Sequence, residues 1–599
     1  MKLEKIEIEG LRKIKNTTVF FGDTTFIIGE NNVGKSTIFE GIRLLLTNTN
    51  PSNEDFTCKY DEETKANLIV CDTIKITGTF SDLPEEANEW IGFKGRVFKE
   101  NENLKVIYRK TFKIGQKPII EMYEKKKEIK EEIFDGKKIT IEKLIAFGID
   151  EEILKEHFKE NLDGKNLNTK EYLPKFEGIS EVWNYSEDFD WVVNPGGIPQ
   201  NVISKLPKYI CIPAEHRAEE ICDNKQSALG DIMNTIFDDV VESSVNYVQV
   251  KNYFNELEKE IDTENEETEF GKIMIKVNET IKTVFPDSSI YAKVNLSDPN
   301  TFLKPKYDIL LGSNIFTNVS YQGTGMIRTT AFSLLKFRET WKQERGTELR
   351  SLIICFEEPE IFLHPNAANQ LRNTIYELGA SNNQIICTTH SPYMIDLSRT
   401  SENQILNNMT YCDDGFVSAK AFNTSSEFEN LVEDDKTHVK MLLKIDDYVA
   451  RVFFCKKVII VEGDTEDVVL TKSLELINLN VRNKIMSECQ IIKARGKATI
   501  PPLIKYLKAM GINNIFVIHD RDNGKQRAME VNPRIIDALD NNEDLRIMLE
   551  ENIENTLGYE EPSKDKPYKA FVEIQNWEEY SKIPVKWREV LEKAFREYL

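Results

Sequence analysis

Residues 3–9 alternate apolar and charged side chains, the period of a half-buried strand. Thr17–Phe21 and Thr25–Ile28 read as two more strands, and the second runs straight into a glycine-rich loop. Beyond that loop Ile38, Phe39, Ile42 and Leu45 recur at helical spacing, which predicts a helix over Ser36–Leu46. From about residue 50 to 200 the sequence is charged and irregular, and the run Glu124-Lys125-Lys126-Lys127-Glu128 reads as a solvated helix face or loop. Trp191-Val192-Val193-Asn194-Pro195-Gly196-Gly197 marks a turn and a boundary. Residues 228–285 are helical in pattern: Ile232, Ile236, Val240, Val241, Phe254, Leu257 and Ile261 form an apolar stripe opposite an acidic face, as in an inserted arm.

Strand-like segments return at Tyr307–Leu311, Ser351–Phe356 and Gln384–Thr388, and Met326–Phe337 reads as a helix. Residues 400–455 look like a connector that ends in a helix, Lys436–Phe454. A fresh α/β unit follows, with strands Lys457–Val461, Gln490–Lys493 and Asn514–Ile518 and helices over 465–477 and 499–510, a spacing that implies a parallel sheet.

Composition narrows the class. With 599 residues, 40% hydrophobic and 30% charged, the chain is an ordinary globular protein of several domains. No apolar run reaches the ~18–20 residues of a membrane span, and the N-terminus lacks an apolar signal core. Nine cysteines are scattered with no Cys-x-x-Cys pair, which argues against a zinc ribbon or disulfide framework and for a reducing, cytoplasmic setting. The net charge of −22 weakens any tight, metal-free, non-specific binding of nucleic acid, so a nucleic-acid partner requires a localised basic track or a subunit that supplies one.

Two phosphate chemistries stand out. Gly29-Glu30-Asn31-Asn32-Val33-Gly34-Lys35-Ser36-Thr37 has the P-loop spacing, in the strand–loop–helix setting such a loop requires. Its backbone N–H groups would cradle the phosphates of ATP, Lys35 would reach the β/γ-phosphates, and Ser36 would ligate Mg2+. The apolar strand Ser351–Phe356 ends in Glu357-Glu358-Pro359-Glu360: Glu357 is placed to hold Mg2+ through water and Glu358 to orient the attacking water. His390, after the strand Gln384–Thr388, reads as a γ-phosphate sensor. Ser320-Tyr321-Gln322-Gly323-Thr324-Gly325 is a glycine-rich turn before a helix, so Gln322, Gly323 and Gly325 join the nucleotide-binding set. In this order the elements resemble the ABC-type ATPases of the SMC/RecF group, in which the signature turn of one subunit completes the ATP site of another. Leu11-Arg12 sits where that group has a short Leu-Arg or Phe-Arg element. Glu357 stands where an Asp is usual, and the turn lacks the full Leu-Ser-Gly-Gly form; both departures bear on hydrolysis more than on binding.

The second chemistry is acidic. Glu462 falls at a strand tip with Glu466 one helical turn on, and Asp520 and Asp522 are one residue apart at the tip of the strand over 514–518. Ligands of open parallel sheets collect at such ends. Converging carboxylates need a counter-charge, and Mg2+ or Mn2+ is the natural one; two such ions would activate water and stabilise the leaving oxygen of a phosphodiester. The Glu…Asp-x-Asp pattern, with Lys493-Ala494-Arg495-Gly496-Lys497 between its halves, resembles the TOPRIM domain.

An ABC-type ATPase followed by a TOPRIM domain resembles the OLD (overcoming lysogenization defect) nucleases, including the nuclease subunit of the Gabija system and retron-associated effectors. The resemblance implies an α/β chain with an ATPase over 1–227 and 286–445, a helical dimerisation arm inserted at 228–285, and a TOPRIM domain over 446–599. It also implies Glu554 as a further metal acid, Lys566 as a catalytic cation with Lys569 close behind as the other choice, and a DNA endonuclease of antiphage defence. The implied partners are DNA, a second copy of the chain in a homodimer or higher even oligomer, and a helicase subunit or a reverse transcriptase with its small nucleic acid. A non-nucleolytic DNA-repair ATPase or scaffold, and a topoisomerase-like enzyme using a tyrosine such as Tyr559, Tyr568 or Tyr580, remain as alternatives.

Overall fold

The computed structural model describes residues 1–63, 65–129, 138–139, 141–146, 167–168, 183–197, 199–214, 228–242, 244–261, 267–284, 309–312, 315–345, 350–361, 363–399 and 403–599. They fall into two compact units, one of residues 1–209, 350–360 and 375–599, the other of 210–349 and 361–374. Tyr307 and Asp308 of the strand expected at Tyr307–Leu311 lie outside the described residues; a strand covers Leu310–Gly312.

The first unit contains the expected parallel ATPase strands. Leu352–Glu357, Gln384–Thr388, Thr24–Gly29 and Gln404–Tyr411 lie side by side in that order and parallel, and Val417–Asn423 closes the edge antiparallel. Their interiors are fully buried apolar runs, as a sheet covered on both faces requires. Residues 400–455 are therefore more than a connector, since two of their segments extend this sheet. The helix expected over Lys436–Phe454 breaks at Asp446, into an α-helix Glu433–Ile445 and a 3-10 stretch Asp447–Phe454.

The region read as irregular, residues 50 to 200, is the larger correction. It supplies strands Thr73–Ser81, Asn103–Lys113, Ile119–Ile129 and Trp183–Val193, which join Lys2–Leu11 and Ile14–Phe20 in one antiparallel sheet. Glu124 lies in a strand, not on a solvated helix or loop. Ile120, Met122 and Glu124 occupy its inward positions, and the buried Glu124 carboxylate meets Arg96 at 2.9 Å. A charge at an inward position hid the period-2 pattern.

The end of the first unit is a parallel sheet in the order Cys489–Lys493, Lys457–Val461, Ile515–Asp520, Arg546–Leu549. Val461, Val469, Phe516, Ile518 and Trp587 pack its core, and the Trp587 indole donates to Ser473 Oγ at 2.9 Å. The second unit is largely helical, with helices Ala228–Glu242, Val245–Glu260, Glu269–Val284 and Thr324–Arg345. Buried Arg338 pairs there with Asp239. Among the described residues no helix is long and apolar enough to cross a membrane.

Candidate nucleotide and carboxylate sites

The loop after strand Thr24–Gly29 has the conformation a phosphate cradle needs. Gly34 caps the helix Lys35–Leu46 at φ 96°, a left-handed geometry open to glycine at little cost. A Cβ on Gly29 would stand 2.6 Å from the Met409 carbonyl, so that position is sterically restricted. Asn32 is held at φ 63° by Lys13 Nζ and the Tyr411 hydroxyl, which donate to its carbonyl at 2.8 and 3.0 Å. Asn31, Asn32 and Ser36 are exposed, while Thr37 is buried with its N–H bonded to the Gly34 carbonyl.

Lys35 donates to the carbonyls of Glu30 and Gly29 at 2.9 and 3.2 Å and to His390 Nε2 at 2.7 Å. His390 Nε2 lies 3.6 Å from Glu358 Oε1. The structure thus brings together three of the expected groups, one from a helix start and two from strand tips. Burial, then the charge of Lys35, lower the His390 pKa against the opposing pull of Glu358, which leaves a neutral ring to accept from the ammonium. Burial likewise lowers Lys35. Glu357 ends its strand, and Glu358 follows at φ 44°, a backbone conformation unusual outside glycine. Glu360, which carried no assigned role, is mostly buried; its Oε1 accepts from Thr389 Oγ1 at 2.6 Å and the His390 N–H at 3.3 Å, fixing the backbone at His390.

In the second unit, the Gln322 side-chain amide donates to the Leu311 carbonyl at 3.2 Å and to Thr317 Oγ1. Gln322 is thereby tied to its own hairpin. A Cβ at Gly323 would meet nothing within 4 Å, and Gly325 lies in the first turn of the helix Thr324–Arg345.

The carboxylates sit at the tips of two adjacent parallel strands, Lys457–Val461 and Ile515–Asp520. Glu462 follows the first, and Asp520 ends the second. Glu466 lies in the first turn of the helix Asp464–Glu475, where its Oε2 accepts the Gly463 N–H at 3.0 Å. Glu554, 1% exposed, approaches from the short helix Ile553–Leu557. Burial, reinforced by Glu466 and Asp522, pushes Glu462 up to about 7. Burial, reinforced by Glu466, Glu462, Asp522 and Glu554, pushes Asp520 up to about 8. Glu466 is raised by burial as well. Asp522 goes the other way: burial would raise it, but hydrogen bonds from Lys525 and Lys497 outweigh that.

Glu462 Oε2, Asp520 Oδ1 and both oxygens of Glu554 are buried without a hydrogen-bond partner. Buried carboxylates in that condition fit a divalent cation with oxygen ligands. Among the described residues no three acid, imidazole or thiol groups already stand in ligand geometry; without a cation the like charges repel. Lys566 Nζ reaches Glu554 at 3.7 Å and also pairs with Glu561. Burial opposes its charge, but Glu561, Glu554 and Asp520 raise its pKa overall. Lys497, quoted in the motif but given no role, donates to the Asp520 carbonyl at 2.6 Å and to Asp522 Oδ2 at 3.1 Å. Nothing in its spacing announces that contact; it depends on strand adjacency.

A P-loop ATPase core and an acid-tipped parallel sheet in one chain define the class: an ATPase joined to a TOPRIM domain. The model of the AAA ATPase domain matches residues 1–395, and that of the overcoming lysogenization defect protein-like TOPRIM domain matches residues 453–522. The chain belongs to the OLD family of nucleases, with an AAA ATPase domain and an OLD-like TOPRIM domain. It is 23% identical over 527 residues to the Old nuclease of Escherichia phage P2, covering 86% of this chain and 76% of that one. An OLD nuclease of Thermus scotoductus is 28% identical over 182 residues, 30% of this chain and 32% of that one. Among solved structures, an Smc head domain derived from Pyrococcus furiosus aligns at 13% identity and a TM-score of 0.34 over 71% of this chain and 98% of that one, a likeness too slight to argue from.

Proposed function

We propose that the chain is an ATP-binding, divalent-metal-dependent DNA endonuclease of antiphage defence. The observation that carries this reading is the set of unpartnered, buried carboxylate oxygens on Glu462, Asp520 and Glu554 at adjacent strand tips. A divalent cation bound there supplies an acidified water and charge stabilisation at a phosphodiester. Glu462, Glu466, Asp520, Asp522 and Glu554 form the acidic wall around it. Lys566 presents an ammonium beside Glu554, suited to a phosphoryl oxygen that gains charge. Lys493, Arg495 and Lys525 flank the cluster, each paired with a nearby acid, and would have to exchange those acids for DNA phosphates if this chain of net charge −22 is to meet a polyanion there. In the ATPase core Lys35 binds the β/γ-phosphates with Ser36 on the accompanying Mg2+, Glu357 and Glu358 serve that ion and the water, and His390 senses the γ-phosphate.

The defence role is what the resemblance to the overcoming lysogenization defect nucleases implies. A helicase subunit, or a reverse transcriptase with its small nucleic acid, is a compatible partner. For assembly, the relevant observation is that Val245, Tyr253, Leu257, Phe270 and Ile273 on two helices of the arm are exposed in one chain, although Ile232 of the expected stripe is buried within it. A homodimer or higher even oligomer would cover the exposed ones and bring each signature turn, Gln322–Gly325, to a partner's Lys35 site.

One observation bears on the topoisomerase reading. The Tyr559 hydroxyl lacks a hydrogen-bond partner, and Glu554 and Glu466 act on it. Burial, Glu554, Glu573 and Glu466 all raise its pKa, the opposite of what a phenolate nucleophile needs. The test is Asp520→Ala assayed on plasmid and linear DNA with Mn2+ or Mg2+. It should lose cleavage and keep ATP binding; undiminished cleavage removes the assignment, and a covalent protein–DNA adduct through Tyr559 would favour the alternative.

A further inference from the structure

The acids of the carboxylate site fall into two sets, and Lys497 divides them. Its side chain is 5% exposed, and its ammonium donates to the Asp520 carbonyl at 2.6 Å, to Asp522 Oδ2 at 3.1 Å and to the Arg521 carbonyl at 3.4 Å. Lys525 takes Asp522 Oδ1 at 2.9 Å. Both oxygens of Asp522 are therefore engaged by ammonium groups. Glu462 Oε2, Asp520 Oδ1 and both oxygens of Glu554 are buried and have no hydrogen-bond partner.

The geometry points to Lys497 as a resident cation: it holds the Asp520–Asp522 turn where a second divalent ion would bind, leaving one tight cation site at Glu462, Asp520 and Glu554. An ammonium has three donors, and here three oxygens of consecutive residues receive them. The turn needs such a staple, because Asp522 sits at φ 59°, which costs an L-residue backbone energy unless its surroundings hold it. A divalent ion at Asp522 would have to take the carboxylate from a buried ammonium and leave that charge with carbonyl acceptors alone, a costly exchange in a low-dielectric site. A cation at Glu462, Asp520 and Glu554 competes only with the 3.7 Å ion pair from Lys566 to Glu554, and it satisfies oxygens that have no hydrogen-bond partner.

This inference rests on reading the cluster as a cation site, and the experiment separates the two. Mn2+ is titrated into the full-length protein, free of nucleotide and DNA, with bound and free ion counted by calorimetry and electron paramagnetic resonance. The wild type should bind one Mn2+ tightly, with any second ion weaker by about tenfold or more, and Asp520→Asn should lose the tight ion. Lys497→Met should tighten the second ion at least about tenfold, and Lys497→Arg should restore the count of one. Two ions of comparable affinity in the wild type, or an unchanged count in folded Lys497→Met, overturns the role of Lys497 alone. Should Lys497→Met fail to fold, the wild-type count decides: one tight ion supports the role and two overturn it. Absence of any Asp520-dependent Mn2+ binding overturns the cation site and the role of Lys497 together.

Discussion

The phosphate loop and the carboxylate cluster both end parallel strands, yet they treat their charges in opposite ways. At the loop, Lys35 is satisfied by the chain itself, through two carbonyls and His390. At the cluster, Asp520, Glu462 and Glu554 keep buried oxygens with no partner. The first site is self-capped and exchanges internal bonds for a ligand; the second carries unsatisfied charge that a cation relieves. A switch suits the first condition and a fixed catalytic centre the second.

The largest break in this comparison is Asp520→Ala. We expect cleavage to fall on the order of a thousandfold or more, measured with Mn2+ on plasmid DNA, while ATP binding is unchanged. Next comes Glu358→Gln, which should slow ATP turnover about a hundredfold or more and leave nucleotide bound, as read by single-turnover assay. Normal turnover would assign water orientation to another acid. Lys35→Ala should weaken nucleotide binding about a hundredfold, and full metal-dependent nicking by that variant would show that the two sites work independently.

How much of this was legible in the sequence follows from the kind of signal each part carries. The phosphate loop was legible because glycines and Lys35 mark it locally, and Glu462, Glu466, Asp520 and Asp522 because they follow apolar strands. The antiparallel strands between residues 58 and 193 were not, since Glu124 occupies an inward position and its partner Arg96 is distant in sequence. Strands Gln404–Tyr411 and Val417–Asn423 were missed because Asn407 and Asn408 interrupt their apolar pattern; Asn407 is buried, bonding the Phe20 carbonyl at 2.8 Å. Lys497 and Glu360 make contacts that exist only once separate strand tips meet.

A smaller effect sharpens the contrast through pH. Asp520 and Glu462 titrate near 8 and 7 in the folded chain, against about 4 when unfolded. The folded state therefore holds protons that the unfolded state has released. Their contribution to stability is full below about pH 4 and is lost as pH rises through 7 to 8. In metal-free buffer, melting temperature should fall more between pH 6 and about 8.5 for the wild type than for Asp520→Asn. Divalent affinity should rise over the same window, because the ion must displace those protons. A parallel decline in both proteins would remove Asp520 as the cause.

The central claim is that Glu462, Asp520 and Glu554 hold buried oxygens without a hydrogen-bond partner and that a divalent cation takes them up. The most direct measurement is the melting temperature of nucleotide-free wild type and Asp520→Asn, each with and without Mn2+. At about a hundredfold excess over its dissociation constant, Mn2+ should raise the wild-type value by about 2 °C and leave Asp520→Asn nearly unmoved. Equal shifts in the two proteins, or none in either, would contradict the account.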